Sequence, residues 1–462
     1  MRLGELEALR KAPKGFKISL VEGALTVLGS SFISPMTIPL LIRMGADAGV
    51  IGLYTAMATA LMPPLQILAA FMLDTFREKR LYLMTLFAAL NRVKWILILL
   101  AVLDIWGDLW TVIALLILSN ALGAFSSLAW TDLMADLVEP ERRGRLFALR
   151  NSLLGLLNLA GLAMAKAIYD LYLYPHGYAL AIGIGATLML AAIPLLYLYG
   201  DPVRPHGVGI RPATLAKIFK DRQFLKDAAS VSFWNFSVSL VGGVWTYHLY
   251  SAFGADEKWF TTLNLTGGMI GILANLPWGR LYDRFGPRGV FLMSGLSIAA
   301  VPALFPLLPS LEGQVVLQAY SSFTWTGFSL ASFNYALSYS GENRHVYIAA
   351  YNSIPSALAS LGTIIGVMVY QSAGITVFYV SALCRILAAA VLYRYASPRG
   401  VTYEELKVAS HLYPLLVTAR TFATGAYMET LYTLKVVYSA VVTVVILALL
   451  ASIYILLLRL FT

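Results

Sequence analysis

The chain has 462 residues, of which 59% are hydrophobic and only 13% are charged. Soluble proteins typically have about 45–50% apolar and about 25% charged residues, so the composition excludes a soluble globular protein and predicts an integral membrane protein. The formal net charge is +10. The single cysteine, Cys384, excludes an intramolecular disulfide and a zinc site built on paired cysteines.

Thirteen apolar runs approach or exceed the roughly 20 residues that a helix needs to cross a bilayer. The first is too long for the core of a secretory signal and lacks an Ala-x-Ala-like end, so we interpret it as a span. The runs lie at 16–42, 48–73, 80–103, 109–136, 146–171, 178–199, 227–252, 258–279, 289–308, 313–338, 345–371, 374–395 and 434–458. The sequence therefore predicts an all-α integral membrane fold.

The basic residues are distributed unequally between the two sides of these spans. If the N-terminus is cytoplasmic, most of the 34 Lys and Arg residues fall in inner segments, and only Arg43, Lys258 and Arg459 fall outside. This is the pattern of the positive-inside rule. The charge therefore orients the chain in the cell membrane, with the N-terminus cytoplasmic and the C-terminus external, and no nucleic-acid partner is expected.

An internal repeat divides the chain into two halves. ERRGRLFALRNSLLGLLNLAG (141–161) aligns with ENRHVYIAAYNSIPSALASLG (342–362), and LDTFREKR (73–80) aligns with YDRFGPRG (282–289). The first alignment pairs Gly161 with Gly362, and the second pairs Asp74 with Asp283. We therefore expect a six-span half over 1–200, a cytoplasmic linker over 201–226 and a second, parallel six-span half over 227–396.

The stretch GRLYDRFGPRG (279–289) carries a loop motif of the form G-x-L-x-D-R-x-G-x-R after the second span of a half. With two six-span halves, this loop resembles the major facilitator superfamily of secondary transporters. Pro287 replaces a usual basic residue, and the first-half copy keeps little beyond Asp74 and Lys79. The resemblance implies two six-helix bundles in a pseudo-two-fold arrangement.

The resemblance also implies a cytoplasmic gate, in which Asp283 lies beside the N-terminus of the fifth span. A carboxylate is stabilised at such a helix end. A loop that is basic only for topology is the alternative. The predicted gate residues are Gly279, Asp283, Arg284, Gly286, Arg288, Asp74, Arg143 and Arg150.

Several ionisable residues lie within spans, where they are costly and indicate function by default. Glu22 and Asp132 lie at similar depths from the inner side, and Arg150 enters the fifth span nearby. We predict that these carboxylates couple proton uptake to transport with Arg150 as a basic partner, or else form a structural ion-pair network. The other four in-span cations are expected to be structural or to reach the interface: Arg92, Lys94, Lys166 and Arg385.

The resemblance implies that the first, fourth, seventh and tenth spans line a central cavity. Polar side chains recur at helical spacing on these spans, although part of this pattern is expected to be helix packing. The predicted cavity residues are Thr26, Ser30, Ser34, Ser126, Trp130, Trp234, Asn235, Trp245, Gln318, Ser322 and Trp325. No arginine lies deep in these four spans, which favours a neutral polar or amphipathic small-molecule solute.

No phosphate-binding loop and no H-E-x-x-H motif occurs in the sequence, so we expect no enzyme activity, no metal and no cofactor. The sequence predicts a proton-coupled secondary active transporter that works by alternating access. The alternative is a transport-inactive receptor or assembly subunit that uses the fold to hold a partner protein.

A C-terminal extension follows the twelfth span. Residues 397–433 are expected to form a cytoplasmic amphipathic segment, and 434–462 an additional transmembrane helix. This thirteenth helix is predicted either to bind a partner or a second copy of the chain through 434–458, or to serve as a passive anchor.

Overall fold

A computed structural model describes residues 12–138, 140–200, 220–337 and 344–395. In these ranges the chain is helical and contains no β-strand. The helices are α1 Lys14–Ile33, α2 Thr37–Arg43, α3 Ala48–Thr75, α4 Arg80–Val102, α5 Leu109–Leu137, α6 Pro140–Leu171, α7 His176–Ala191, α8 Ile193–Tyr197, α9 Arg222–Gly242, α10 Trp245–Ser251, α11 Glu257–Leu304, α12 Leu311–Leu337, α13 Arg344–Ala373 and α14 Thr376–Tyr395.

The surface of these helices is that of a membrane protein. Within the described ranges, eight helices are long and apolar enough to cross a bilayer by length and composition. Large apolar side chains such as Leu118, Met164, Val316 and Leu383 are more than half exposed, as expected where lipid covers the surface. The predicted amphipathic segment 397–433 and thirteenth span lie outside the described residues.

The first span of each half is broken near its outer third. In the first half, a 3₁₀ turn over Ser34–Met36 that contains Pro35 separates α1 from α2. In the second half, α9 ends at Gly242 and α10 begins at Trp245. Proline removes a backbone donor and interrupts a helix, but the second break has no proline, and hydropathy alone predicted neither.

The helices form two bundles with the same internal neighbours. In the first half, α1 packs on α6 and α7, and α5 packs on α3 and α4. In the second half, α9 packs correspondingly on α13 and α14, and α11 packs on α12. Between the halves, α3 contacts α13, α6 contacts α11 and α2 contacts α10. The predicted arrangement of two six-helix bundles is thereby confirmed.

The repeated glycines allow close helix approach within each half. A Cβ on Gly161 of α6 would lie 2.7 Å from the Ser31 Cβ of α1, and a Cβ on Gly362 of α13 would lie 2.5 Å from the Phe236 carbonyl of α9. Real Cβ atoms essentially never come this close. The repeat therefore preserves the contact between the first and fifth spans of each half.

Among the described residues, the buried apolar cores of the two halves merge at one end. We call the end where α1 and α4 begin the inner end, and the end where α3 and α11 begin the outer end. At the outer end, a single apolar cluster combines Ile51 and Tyr178 of the first half with Val244 and Val367 of the second. At the inner end, each half has its own buried clusters, and among the described residues none combines the two halves.

Gly362→Ala tests the close helix packing. We expect the substitution to lower stability by about 1–3 kcal/mol, because the added methyl group forces α13 away from α9. Gly155→Ala in α6 is the matched control, since nothing lies within 4 Å of the added Cβ. Thermal unfolding of the purified protein measures both, and an equal effect of the two substitutions would contradict this packing.

Candidate functional site

A buried ion pair connects α1 and α4 in the first half. Arg92 Nη2 lies 2.5 Å from Glu22 Oε1, and both residues are less than 10% exposed. Thr26 donates to Glu22 Oε1 at 2.8 Å, and the Tyr199 hydroxyl donates to Oε2 at 3.0 Å. Arg92 also donates to the Met189 carbonyl at 3.0 Å. One carboxylate thus accepts three hydrogen bonds from three segments of the chain.

This network corrects the predicted pairing. The sequence assigned Arg150 as the shared basic partner of Glu22 and Asp132, whereas Glu22 pairs with Arg92. From the sequence, Arg92 is expected to be structural or to reach the interface, not to pair with Glu22. Glu22 lies eight residues into α1 and Arg92 twelve into α4, which places them about 12 and about 18 Å from the inner ends of these helices.

Asp132 belongs to a second, separate cluster. Arg80, at the start of α4, lies 2.5 Å from Asp132 and 2.8 Å from Asp136, both on α5. The Arg80 side chain is 3% exposed and that of Asp132 is 48% exposed. Asp132 is therefore the more accessible of the two predicted coupling carboxylates.

Arg150 lies between α1, α5 and α6. Its guanidinium stacks over the Trp130 ring, with 4.7 Å from Cζ to the ring centroid, and the residue is 9% exposed. Its hydrogen bond from Nη2 to the Ser19 carbonyl is 3.5 Å long, and its buried Nε has no hydrogen-bond partner among the described residues. Arg150 and Trp130, predicted separately for the gate and the cavity, are thus in contact.

A cavity of about 530 Å³ lies between α11 and α12 in the second half. Ser322 and Trp325, both predicted to face a cavity, line it, and Gln318 lies next to Ser322. Every lining residue is uncharged: Gly267, Gly271, Asn275, Ser322, Trp325, Thr326, Ser329 and Leu330. The sequence missed the α11 side of this cavity because the eighth span was not assigned to the lining helices.

The structure places Trp234 differently from the predicted cavity position. It is 1% exposed and stacks on Phe328 with 4.3 Å between ring centroids, so in this structure it is a core residue of the second half. Trp245 packs on Phe305 at 3.9 Å in an aromatic cluster at the outer end. Large aromatic side chains bury extensive apolar area in a core, and helical spacing does not separate a core face from a cavity face.

The remaining predicted cavity residues have small polar side chains. Ser30, Ser126 and Asn235 are partly buried and donate to carbonyls of their own helices. Such bonds satisfy a hydroxyl or amide without any solute. Ser34 is exposed at the break between α1 and α2. Thr26 is part of the Glu22 network.

An ion pair with a buried carboxylate joins the halves at the outer end. Arg43 of α2 donates to both carboxylate oxygens of Glu257 at the start of α11, at 2.7 and 2.9 Å. Tyr178 of α7 donates to the same carboxylate at 3.1 Å, and Arg43 lies over the Tyr250 ring. Glu257 is 4% exposed. A bidentate arginine–carboxylate pair is among the stronger charged contacts in proteins.

The loop motif coincides with a break in α11. Gly286 has φ 65° and ψ −179°, a conformation that favours glycine, and it turns the eighth span into the ninth. The Arg284 guanidinium lies over the Phe285 ring. Gly279 lies in the helix before the break. The side chains of Asp74, Arg143, Asp283 and Arg288 lie outside the described part of the structure, so the gate stays a prediction.

The other in-span cations have separate partners. Lys94 contacts the Ser119 hydroxyl and the Trp95 ring. Arg385 is 4% exposed and donates to the Ile298 and Val238 carbonyls at 3.3 and 3.4 Å. Lys166 pairs with Asp170 one turn away on α6, in a partly exposed position.

Known proteins show both the family and the fold. The sequence profile of the Major Facilitator Superfamily matches residues 23–363. A mutant of the nucleoside transporter NupG superimposes with a TM-score of 0.65 at 12% identity, covering 83% of this chain and 100% of that chain. A D-xylose–proton symporter gives 0.62 at 14% identity, covering 82% of this chain and 97% of that chain. No curated protein matches the chain significantly.

A third similar structure was solved in a named conformation. A bacterial homologue of the human lysosomal transporter Spinster, inward-facing and unoccupied, superimposes with a TM-score of 0.58 at 14% identity, covering 92% of this chain and 99% of that chain. At these identities, the likeness concerns the fold.

Arg92→Gln tests the buried ion pair. We expect a loss of stability of about 3–5 kcal/mol, because the substitution leaves the Glu22 carboxylate buried without its cation. The double substitution Glu22→Gln with Arg92→Gln is expected to recover part of this loss. Lys166→Gln is the control and should cost less than about 1 kcal/mol, since its pair is partly exposed.

The measurement is thermal unfolding of each purified variant at neutral pH. A double variant no more stable than Arg92→Gln alone, or a control as destabilised as Arg92→Gln, would contradict the assignment.

Proposed function

Because the chain belongs to the major facilitator superfamily, a family of multi-pass membrane transporters, we propose that it moves a small solute across the cell membrane by alternating access, driven by a proton gradient. The N-terminus and the inner end face the cytoplasm in this proposal. The observation that carries it is the unequal packing of the two halves at the two ends of the molecule.

Alternating access requires that one end of the bundle closes while the other opens. At the outer end, the halves share one apolar cluster and the Arg43–Glu257 ion pair. At the inner end, the described clusters belong to one half each. This arrangement supports an inward-open state, in which the outer contacts are the ones that must separate for the opposite state to form.

The Glu22 network supports proton coupling. The Glu22 carboxylate accepts hydrogen bonds from Arg92, Thr26 and Tyr199. Protonation would remove the charge that binds Arg92, so it would loosen the contact between α1 and α4. A proton taken up from one side thereby changes the packing of the half that must move. Asp132 is the second candidate, because its carboxylate is accessible and shares Arg80 with Asp136.

The expectation of a neutral solute loses its main support in the first half. It rested on the absence of arginine from four spans, but Arg92 of α4 and Arg150 of α6 lie against α1 beside Glu22 and Ser19. Neighbouring helices thus supply the cations that the lining helices lack. The second-half cavity keeps its neutral polar character.

Glu257→Gln tests the outer closure. The variant loses the charge that Arg43 binds, and hydrogen bonds to charged groups contribute about 1.5–3 kcal/mol. We therefore expect the outward-open population to rise about tenfold or more. In a Cys384→Ser background, Val244→Cys reports on this by its labelling rate with a membrane-impermeant maleimide, because Val244 is fully buried at the outer end.

The matched control is Glu312→Gln, which removes an exposed carboxylate from the first turn of α12. A cysteine at Val290, buried in the core of the second half, should stay unlabelled throughout. If Glu257→Gln and Glu312→Gln label Val244→Cys at the same rate, the ion pair does not hold the outer end closed.

Glu22→Gln tests proton coupling. Glutamine keeps the size and most hydrogen bonds but does not titrate, so we expect solute exchange across proteoliposome membranes to continue while accumulation driven by a pH gradient is lost. A ligand screen by thermal stabilisation first identifies the solute. Asp170→Asn, which alters a carboxylate in the partly exposed pair with Lys166, is the control and should accumulate solute normally.

If Glu22→Gln accumulates solute as well as the parent does, Glu22 is not the coupling residue, and Asp132 becomes the next candidate. Absence of exchange by the parent protein, with a solute that it binds, would favour the transport-inactive receptor.

A further inference from the structure

The charges around Glu22 do not balance. Two guanidinium groups, those of Arg92 and Arg150, lie against α1 at this depth, and Glu22 is the one carboxylate that any described contact places beside them. Arg92 forms an ion pair with that carboxylate at 2.5 Å, and Thr26 and Tyr199 donate hydrogen bonds to it. Glu22 acts on Arg150 only through a longer-range attraction. The cluster therefore has one positive charge in excess.

Arg150 bears this excess charge. It is 9% exposed, has no ion pair among the described contacts, and its Nε lacks a hydrogen-bond partner. Its described hydrogen bond, to the Ser19 carbonyl, is 3.5 Å long and therefore weak. A buried and unpaired charge is costly inside a membrane protein and indicates function by default.

The surroundings of Arg150 hold the guanidinium in place. The Trp130 ring lies 4.7 Å from Cζ of the guanidinium, within the range of a cation–π contact. A Cβ on Gly23 would lie 2.7 Å from Nη2. Glycine at this position thus lets Arg150 rest against the backbone of α1, at the depth of the Glu22 network.

We propose that Arg150 binds the carboxylate of the transported solute, and that the solute is a small organic monoanion. The fork of a guanidinium matches a carboxylate in two parallel hydrogen bonds, and one monoanion would cancel the excess charge. This inference rests on the proposed transport function. The sequence predicted a neutral solute instead, because Arg150 lies on the fifth span, which was not among the spans predicted to line the cavity.

The test compares carboxylates with their uncharged amides as ligands of the purified full-length protein. The probes are acetate, lactate and benzoate against acetamide, lactamide and benzamide, with thermal stabilisation measured over a concentration series at constant ionic strength. We expect at least one carboxylate to stabilise the parent in a saturable manner while its amide does not. Sodium chloride and sodium phosphate serve as inorganic anion controls.

Arg150→Gln is expected to weaken carboxylate binding roughly 10- to 100-fold, which corresponds to the loss of charge-assisted hydrogen bonds. Arg150→Lys should bind more weakly than the parent and more tightly than Arg150→Gln, because lysine keeps the charge but not the fork. Gly23→Ala should weaken binding without a change of charge. Lys166→Gln, which alters a cation near the outer end of α6, should bind like the parent.

The inference is overturned if no carboxylate stabilises the parent more than its amide, if chloride or phosphate stabilises it as well as the carboxylates do, or if Arg150→Gln binds with unchanged affinity. Should Arg150→Gln fail to fold, Arg150→Lys and Gly23→Ala decide by the same criteria.

Transport assays separate this inference from the proposed function. Carboxylate binding that depends on Arg150, without uptake into proteoliposomes, would refute transport but keep the anion site. Uptake of a neutral solute that is unchanged in Arg150→Gln would support transport and refute the anion site.

Discussion

The apolar cluster at the outer end determines how the two halves of this protein relate to each other, because it is where their buried cores merge. Its apolar packing is reinforced by the Arg43–Glu257 ion pair, which adds direction to an otherwise non-directional contact. Within each half, close approach at Gly161 and Gly362 holds the first and fifth spans together. The described structure thus combines close packing inside each half with a shared apolar cluster at the outer end.

Buried arginines have different partners in the two halves. In the first half, Arg92 pairs with Glu22 and Arg80 with two aspartates, while Arg150 has no ion pair among the described contacts. In the second half, the described hydrogen bonds of Arg385 go to backbone carbonyls, and the cavity wall is neutral. The two carboxylate-bound arginines Arg80 and Arg92 thus both belong to the first half.

Much of the fold was predictable because hydropathy and the repeat report on single helices. The two bundles and the turn at Gly286 follow from apolar runs and a glycine-containing motif. The pairing of Glu22 with Arg92 was not predictable in this way, since the residues are 70 positions apart and meet only through the rotation and neighbour order of α1 and α4. Trp234 shows the same limit, because its spacing fits a cavity face while its contacts make it a core residue.

Distances measured at both ends of the molecule test the rocking of the two halves most directly. Spin labels at Glu78 and Arg222 report on the inner end, and labels at Ile105 and Leu307 report on the outer end, all at exposed positions in a Cys384→Ser background. Double electron–electron resonance measures both distances in lipid bilayers at several pH values and with bound solute. We expect two populations, such that the inner-end distance shortens when the outer-end distance lengthens. A single unchanged population, or two distances that lengthen together, would contradict alternating access about the outer interface.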